Sequence, residues 1–339
     1  MAYTTIDDPS VYHQTDLFTG DGSGQSLTFD GNSDLQPDWI WGTQIDEDGG
    51  ARFMFDSSRG ATKRLKTNGD TEEQTRSGVT SFDSDGYAMG AHADSNGNNE
   101  PIVVWAWKAN GGTTSSNTSG SITSTVQAST TAGFSIVTYS GNGSSGATLG
   151  HGLGAVPHVM IFKRRNGAVD WTVYHHKNTS APETDFLGLN STDATIDQLN
   201  TFNDTAPTSS VFTVGDGGRV NNSSGTYVAY VFTPIQGYSK FGSYTGNGNA
   251  DGPMVFCGFK PAWVLIKETG ATRNWTMADS KSQTAGNGGV TNSFQPNTTA
   301  TTDANERMDW LSDGFKIRTS STTWNTSGGN FIYMAFAEH

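Results

Sequence analysis

Phe18-Thr19-Gly20-Asp21-Gly22, Tyr139-Ser140-Gly141-Asn142-Gly143 and Tyr244-Thr245-Gly246-Asn247-Gly248 are one phrase written three times. Each copy is an aromatic residue, a small polar residue, then Gly-Asx-Gly. A Pro that opens an apolar run follows each one, at Pro37, Pro157 and Pro261. The aromatic residues lie 121 and 105 residues apart and the prolines 120 and 104 apart. Self-similarity at nearly fixed offsets means that one structural unit has been copied.

The correspondence continues outward from the phrase. After the Pro come Trp39-Ile40-Trp41, Val159-Met160-Ile161-Phe162 and Trp263-Val264-Leu265-Ile266-Lys267. A second run ends in a polar turn, at Phe53-Met54-Phe55-Asp56, Trp171-Thr172-Val173-Tyr174-His175 and Trp275-Thr276-Met277-Ala278-Asp279. A turn then feeds a short third run, Asp85-Gly86-Tyr87, Ser210-Val211-Phe212 or Asp313-Gly314-Phe315. Each unit closes on an apolar strand around Trp105, Tyr230 or Met334, 125 and 104 residues apart. These runs are short, rich in aromatic and β-branched residues, and bounded by Gly, Asn, Asp and Ser, which is the pattern of strands and hairpin turns. No stretch sustains the spacing of an amphipathic helix; Ser191 to Asn200 comes closest, as one helical turn in a loop. The expected fold is all-β, with three tandem β-sandwich-like repeats of about 100 residues each. The expected boundaries are an N-terminal arm at 1–15, repeats at 16–109, 133–236 and 237–339, and a linker at 110–132. That linker is almost all Gly, Ser, Thr and Asn, a composition that extends freely. Units two and three join tightly through Pro234-Ile235-Gln236-Gly237-Tyr238, so unit one is expected to be the more independent.

Glycine supplies 42 of 339 residues, well above the average of about 7% and suited to many tight turns. Only 16% of residues are charged, yet 18 Phe, 10 Tyr and 9 Trp provide material for three cores. The net charge of −13 and scattered Lys and Arg argue against nucleic-acid binding, which needs a basic surface. The single Cys257, between Phe256 and Gly258, forms no internal disulfide and reads as a buried thiol. Met1 to Ser10 has no secretory pattern and no run is long enough to span a bilayer, so the expectation is folding in cytoplasm without membrane insertion.

Chemistry-bearing groups do not assemble into a site. His151, His158, His175 and His176 fall in one unit, but the last two point to opposite faces of a strand. The counterpart of His175 is Asp56 or Asp279, which speaks against a metal centre. The acidic runs Asp46-Glu47-Asp48 and Asp83-Ser84-Asp85-Gly86 lack a full calcium-loop spacing and read as turns; a surface Ca²⁺ or Mg²⁺ stays an alternative. No carboxylate pair recurs, and no phosphate loop, nucleophile elbow or zinc-protease helix occurs. The expectation is therefore no catalytic residue, no cofactor and no metal. Trp39, Trp105, Trp171, Trp263 and Trp275 fall at positions that are large and apolar in the other units, hence core. Trp324, in a Ser/Thr/Asn loop, is the candidate exposed contact, and Tyr3, Ile6 and Tyr12 of the arm are candidates for docking on a larger assembly.

The units also resemble a repeat domain of structural and tail-fibre-like proteins of marine bacteriophages, especially those of cyanobacteria. Ala2-Tyr3-Thr4-Thr5-Ile6-Asp7, Gly152-Leu153-Gly154-Ala155-Val156-Pro157, Asn203 to Phe212, Pro234 to Tyr238 and Tyr333-Met334-Ala335-Phe336-Ala337 carry the likeness, which covers essentially the whole chain. It brings no catalytic residues. What it implies is a virion component assembled in the host cytoplasm, exposed on the particle as a tail-fibre or host-contact protein. Its partners would be other tail or capsid proteins, a host surface glycan, or further copies of itself. Two alternatives stand beside this: a head decoration protein whose three units match a threefold contact, and a glycan-binding or glycan-degrading module.

Overall fold

The computed structural model describes residues 4–45, 50–282, 292–300 and 307–337. The fold is all-β, and the three units share a strand order. In unit one the opening strand His13–Thr19 pairs with the closing strand Pro101–Trp107. That strand pairs with the post-proline strand Trp39–Gln44, which pairs with Phe53–Asp56. Unit two repeats the order with Phe134–Ser140, Thr226–Phe232, Val159–Arg164 and Thr172–His175, and unit three with Ser239–Thr245, Asn330–Ala337, Pro261–Glu268 and Thr276–Asp279. A smaller sheet backs each of these larger ones: Gln25–Leu27 with Gly86–Met89 and Val79–Asp83, Ala147–Gly150 with Val211–Val214, and Met254–Phe256 with Gly314–Ile317 and Met308–Leu311.

The repeated phrase is a turn clasped by one asparagine. Asn96, Asn221 and Asn325, again 125 and 104 residues apart, are all fully buried. Their side-chain oxygens accept from the backbone N–H of Asp21, Asn142 and Asn247 at 3.1, 2.9 and 2.7 Å. Their amide nitrogens donate back to the side chains of the same three residues at 2.8, 3.1 and 3.0 Å. The two glycines have separate reasons. A Cβ on Gly20, Gly141 or Gly246 would meet the carbonyl of the residue after the asparagine at 2.0–2.3 Å, and Gly22, Gly143 and Gly248 have φ near +70°. The turn exists to receive the clasp.

The larger sheets are apolar on both faces because both are covered. Ile102, Val104 and Ala106 face unit one's own sandwich, while Val103, Trp105 and Trp107 enter a core shared by all three units. Tyr227, Ala229 and Val231 divide from Val228, Tyr230 and Phe232 in the same way. In the shared core the equivalent residues Trp107, Phe232 and Phe336 converge, Phe336 lying 5.5 Å from Trp107 and 5.9 Å from Phe232.

Polar contacts close the three units into a ring. Asp56 accepts from the Tyr230 hydroxyl (2.7 Å), His175 Nε2 lies 3.1 Å from the Tyr333 carbonyl, and Asp279 accepts from Trp105 Nε1 (3.1 Å). These equivalent positions join one to two, two to three, and three back to one. A second set spans the same seams: Trp171 Nε1 donates to Lys66 O (2.8 Å), Trp275 Nε1 to Gly188 O (2.8 Å) and Arg52 Nε to Gln295 O (3.2 Å). Buried Lys163 and Lys267 each reach a carbonyl of the preceding unit, Asp70 O and Thr192 O. Unit one has Thr43 at that position, and Arg52, hydrogen-bonded to Thr43, supplies the cation instead. The ring repeats in geometry while the residue types change.

Two expectations are corrected. Residues 110–132 are no free linker: Ser124–Ser129 pairs with the opening strand Phe134–Ser140, Ser115–Asn117 pairs with Ser124–Ser129, and Ile122 bridges Leu149. The segment widens unit two and bonds to unit one, so unit one is not independent. The arm is not free either. Ile6 is buried in the shared core, Tyr12 packs edge-on to Tyr238 at 6.1 Å, and His13 already belongs to the opening strand. Tyr3 lies outside the described residues.

Candidate functional site at the seams between units

One end of each seam is built from equivalent residues. The residue after the Pro bonds through its carbonyl to the residue following Asp56, His175 or Asp279: Ser57 N to Asp38 O (2.9 Å), His176 N to His158 O (2.8 Å) and Ser280 N to Ala262 O (2.8 Å). The opening strand of the next unit lies opposite. By register, Thr15, Ile136 and Phe241 are its equivalent positions.

The seam between units one and two is filled by the chain itself. The Asp38 carboxylate accepts from the N–H groups of Ala109, Gly111 and Gly112 at 2.7–2.8 Å and from Ser57 Oγ at 2.7 Å. Gly111 and Gly112 have φ of +59° and +77°, the conformation that turns successive N–H groups toward one anion. The Gln127 carboxamide accepts from Gly112 N (2.6 Å) and donates to Ser57 Oγ (2.9 Å) and Ser58 Oγ (2.8 Å).

Between units two and three, two histidines fill the same place. His158 and His176 stack at 3.7 Å, and His176 Nε2 lies 3.0 Å from the Phe241 carbonyl. Burial, with His176 beside it, pushes His158 down to about 4. Burial pushes His175, deeper in the seam, down to about 3.

Among the described residues, the seam between units three and one is open. Ala262 and Ser280 are too short to fill it, and a cleft of about 330 Å³ remains. Lys281 Nζ donates to Thr15 O (3.0 Å), the counterpart of the Phe241 carbonyl, and pairs with Asp30. Gln14 accepts from Gly31 N (2.9 Å) and donates to Ser33 O (2.8 Å), fixing the loop that carries Asp30. His13 stacks on Trp107 at 4.7 Å with Nδ1 3.0 Å from Ala106 O, and burial pushes it down to about 4. His13 Nε2 and Thr15 Oγ1 have no hydrogen-bond partner among the described residues, although both side chains are over nine-tenths buried. Both line the cleft.

The residues singled out from the sequence fall elsewhere. Trp324 is 2% exposed, packed in the helical turn Thr322–Asn325 beneath the third clasp, with its carbonyl accepting from Tyr244 Oη at 2.8 Å; it is no exposed contact. Its polar neighbours in sequence hide the fact that its counterparts Ser95 and Val220 are buried as well. His151 is buried and bonded to Thr208 O, apart from the other three histidines' partners. Asp85 caps a turn by accepting from Leu35 N; Asp46, Glu47 and Asp48 lie outside the described residues. Among the described residues no three His, Cys, Asp or Glu side chains come together as a metal site. Cys257 is buried, and burial pushes its thiol up to about 12.

A family model described as a domain of unknown function (DUF7483) matches residues 8–339. The chain belongs to this family, and the match runs through all three units as one domain. No curated protein and no solved structure matches the chain.

Proposed function

We propose that this chain is a non-enzymatic structural protein of a bacteriophage virion, held on the particle surface as a tail-fibre or host-contact component. The observation that carries the reading is the use of its buried polar groups. Asp56, Asp279, His175, Lys163 and Lys267 are all spent on joining one unit to the next. A chain that invests its interior polar groups in ring closure is built for rigidity rather than turnover. The likeness of the units to tail-fibre-like proteins supplies the setting, and the open third seam supplies a place for contact. Its partners are other virion proteins, with no nucleic acid and no inserted membrane segment.

A second reading rests on the ring itself. Three related units closed about a common centre match a local threefold of a capsid shell with a single polypeptide, as a head decoration protein does. Electron microscopy of particles labelled with antibody to the chain separates the two. Label on the tail supports the first reading and label on the head the second; purified particles free of the protein sink both. Release of reducing ends from host surface glycans by the purified chain would overturn the non-enzymatic assignment.

A further inference from the structure

We infer that the cleft between units three and one is a binding site for an acetamido sugar. Its two filled counterparts display the chemistry that such a cleft accepts. Between units one and two the occupant is a carboxamide: Gln127 takes an N–H bond on its oxygen and gives its own N–H groups to Ser57 and Ser58. In the open cleft Ser280 replaces Ser57 and Lys281 replaces Ser58, so a hydroxyl and an ammonium stand where two hydroxyls stood. An amide from outside keeps its N–H on the serine and turns its oxygen to the ammonium, which can only donate where Ser58 accepted. Its N–H faces Ser280 Oγ and its carbonyl faces Lys281.

The remaining differences choose among amides. Asp38, which needs three N–H donors, is replaced by Ala262, and Ala337 lies beside the same cleft. Two methyl groups ask for a methyl partner, and an acetyl group has one. Among the described residues His13 Nε2 and Thr15 Oγ1 are buried without partners, an unfavourable state for each group unless a ligand completes it. Asp30 marks the unit-one wall, where ring hydroxyls find a carboxylate acceptor. A volume of about 330 Å³ holds one sugar ring with its acetamido group. The inference deepens the host-contact reading only in the origin of the ligand, since binding itself does not depend on where the protein sits.

The test is saturation-transfer NMR on the full chain, with N-acetylglucosamine as probe and glucose as the amide-free control. A single exposed ring should bind with a Kd on the order of 1–10 mM, with transfer strongest at the acetyl methyl. Two variants address the site. Ala262→His with Ser280→His transplants the residues that fill the seam between units two and three, so the fold has already accommodated them; this chain should unfold cooperatively and lose all transfer. Thr15→Val removes a buried hydroxyl that has no partner among the described residues. It should leave stability unchanged or raised while weakening binding at least about fivefold. That split is one a purely structural threonine would not produce. Absence of transfer from N-acetylglucosamine, equal transfer from glucose, or full binding by the double-histidine chain each overturns the inference. Particle labelling has no bearing on these outcomes, so this site and the virion assignment fail separately.

Discussion

The seam between units one and two and the seam between units three and one use equivalent strands, yet one is packed with the chain's own polar groups and the other is open. The difference does not come from the ring contacts, which recur at both. It comes from what lies before the opening strand. Unit two is preceded by residues 110–132, whose strand Ser124–Ser129 brings Gln127 into the gap. The described segment that leads into the opening strand of unit one carries Ile6 into the shared core instead. Closure of the ring and filling of its seams are therefore separate tasks, and only the first has been kept the same in all three units.

The sharpest way to break this comparison is through the closing contacts themselves. Asp56 is buried against Arg59, which is also fully buried, as well as against Tyr230. Asp56→Ala leaves that guanidinium with Glu73 as its remaining carboxylate partner among the described residues and removes the acceptor of the Tyr230 hydroxyl, and should lower unfolding stability by about 2–4 kcal/mol. Asp279→Ala removes bonds to the neutral donors Trp105, Ser282 and the Lys281 N–H, and should cost about 1–3 kcal/mol. Urea titration of the two variants checks the order. A larger loss at Asp279 would mean that the open seam, not the filled one, carries the ring.

Acid should act through the histidine-bearing seams. His175 and His13 have folded values of about 3 and about 4, below the ordinary 6.5, because burial disfavours the charged ring. The unfolded chain therefore takes up protons first as pH falls. The stability these residues contribute is complete above about pH 6.5 and declines between there and their folded values, by about 1.4 kcal/mol per pH unit for each. Carboxylates titrate in part of the same range, so the informative quantity is the slope of wild type minus that of His175→Gln, measured from pH 7 to pH 5. Equal slopes would remove His175 from the account of the second seam.

Emptying the filled seam is a smaller perturbation. Gln127→Ala leaves Asp38 with its backbone donors but deprives the Ser57 and Ser58 hydroxyls of theirs. The expected cost is about 1–2 kcal/mol, seen as a shift of the urea midpoint without a change of slope. The double-histidine chain, which fills the open seam, should stay within about 1 kcal/mol of wild type.

How much of this was legible in the sequence follows from the residue types involved. The strands and the clasped turn are readable because they depend on glycine and on apolar alternation, which tolerate few substitutes. Asn96, Asn221 and Asn325 were readable too, since their offsets match those of the closing strands, and aligning on them would have set Trp324 beside buried Ser95 and Val220. Ring closure was not. Its partners lie 158 or 174 residues apart, and an aspartate–tyrosine pair, a histidine–carbonyl contact and an aspartate–tryptophan pair do one task with unlike side chains. Residues 110–132 hide their strands for another reason: a Ser/Thr-rich strand with one exposed face has the composition of a flexible linker. The open cleft had no signal of its own, because it is defined by the small side chains of Ala262 and Ser280.

A last contrast, between units two and three, concerns their outer edges. In unit two the hairpin 115–129 extends the opening strand and bridges Leu149 through Ile122, so both sheets of the sandwich are covered on that side. Among its described residues unit three has no such segment, and its edge strand exposes Met254 and Phe256 at 50% and 58%. Lys240 occupies this edge instead: its Nζ lies 5.1 Å over the Phe256 ring and donates to the Phe256 carbonyl at 2.6 Å. A lysine on an uncovered apolar edge discourages pairing with another chain. Lys240→Ala should therefore change monomer stability by less than about 1 kcal/mol, while concentration-dependent association appears in sedimentation velocity. Lys240→Ala with Phe256→Ser should return to the monomer. If Lys240→Ala stays monomeric, the lysine is only a surface contact, and something other than charge keeps the third unit's edge from pairing.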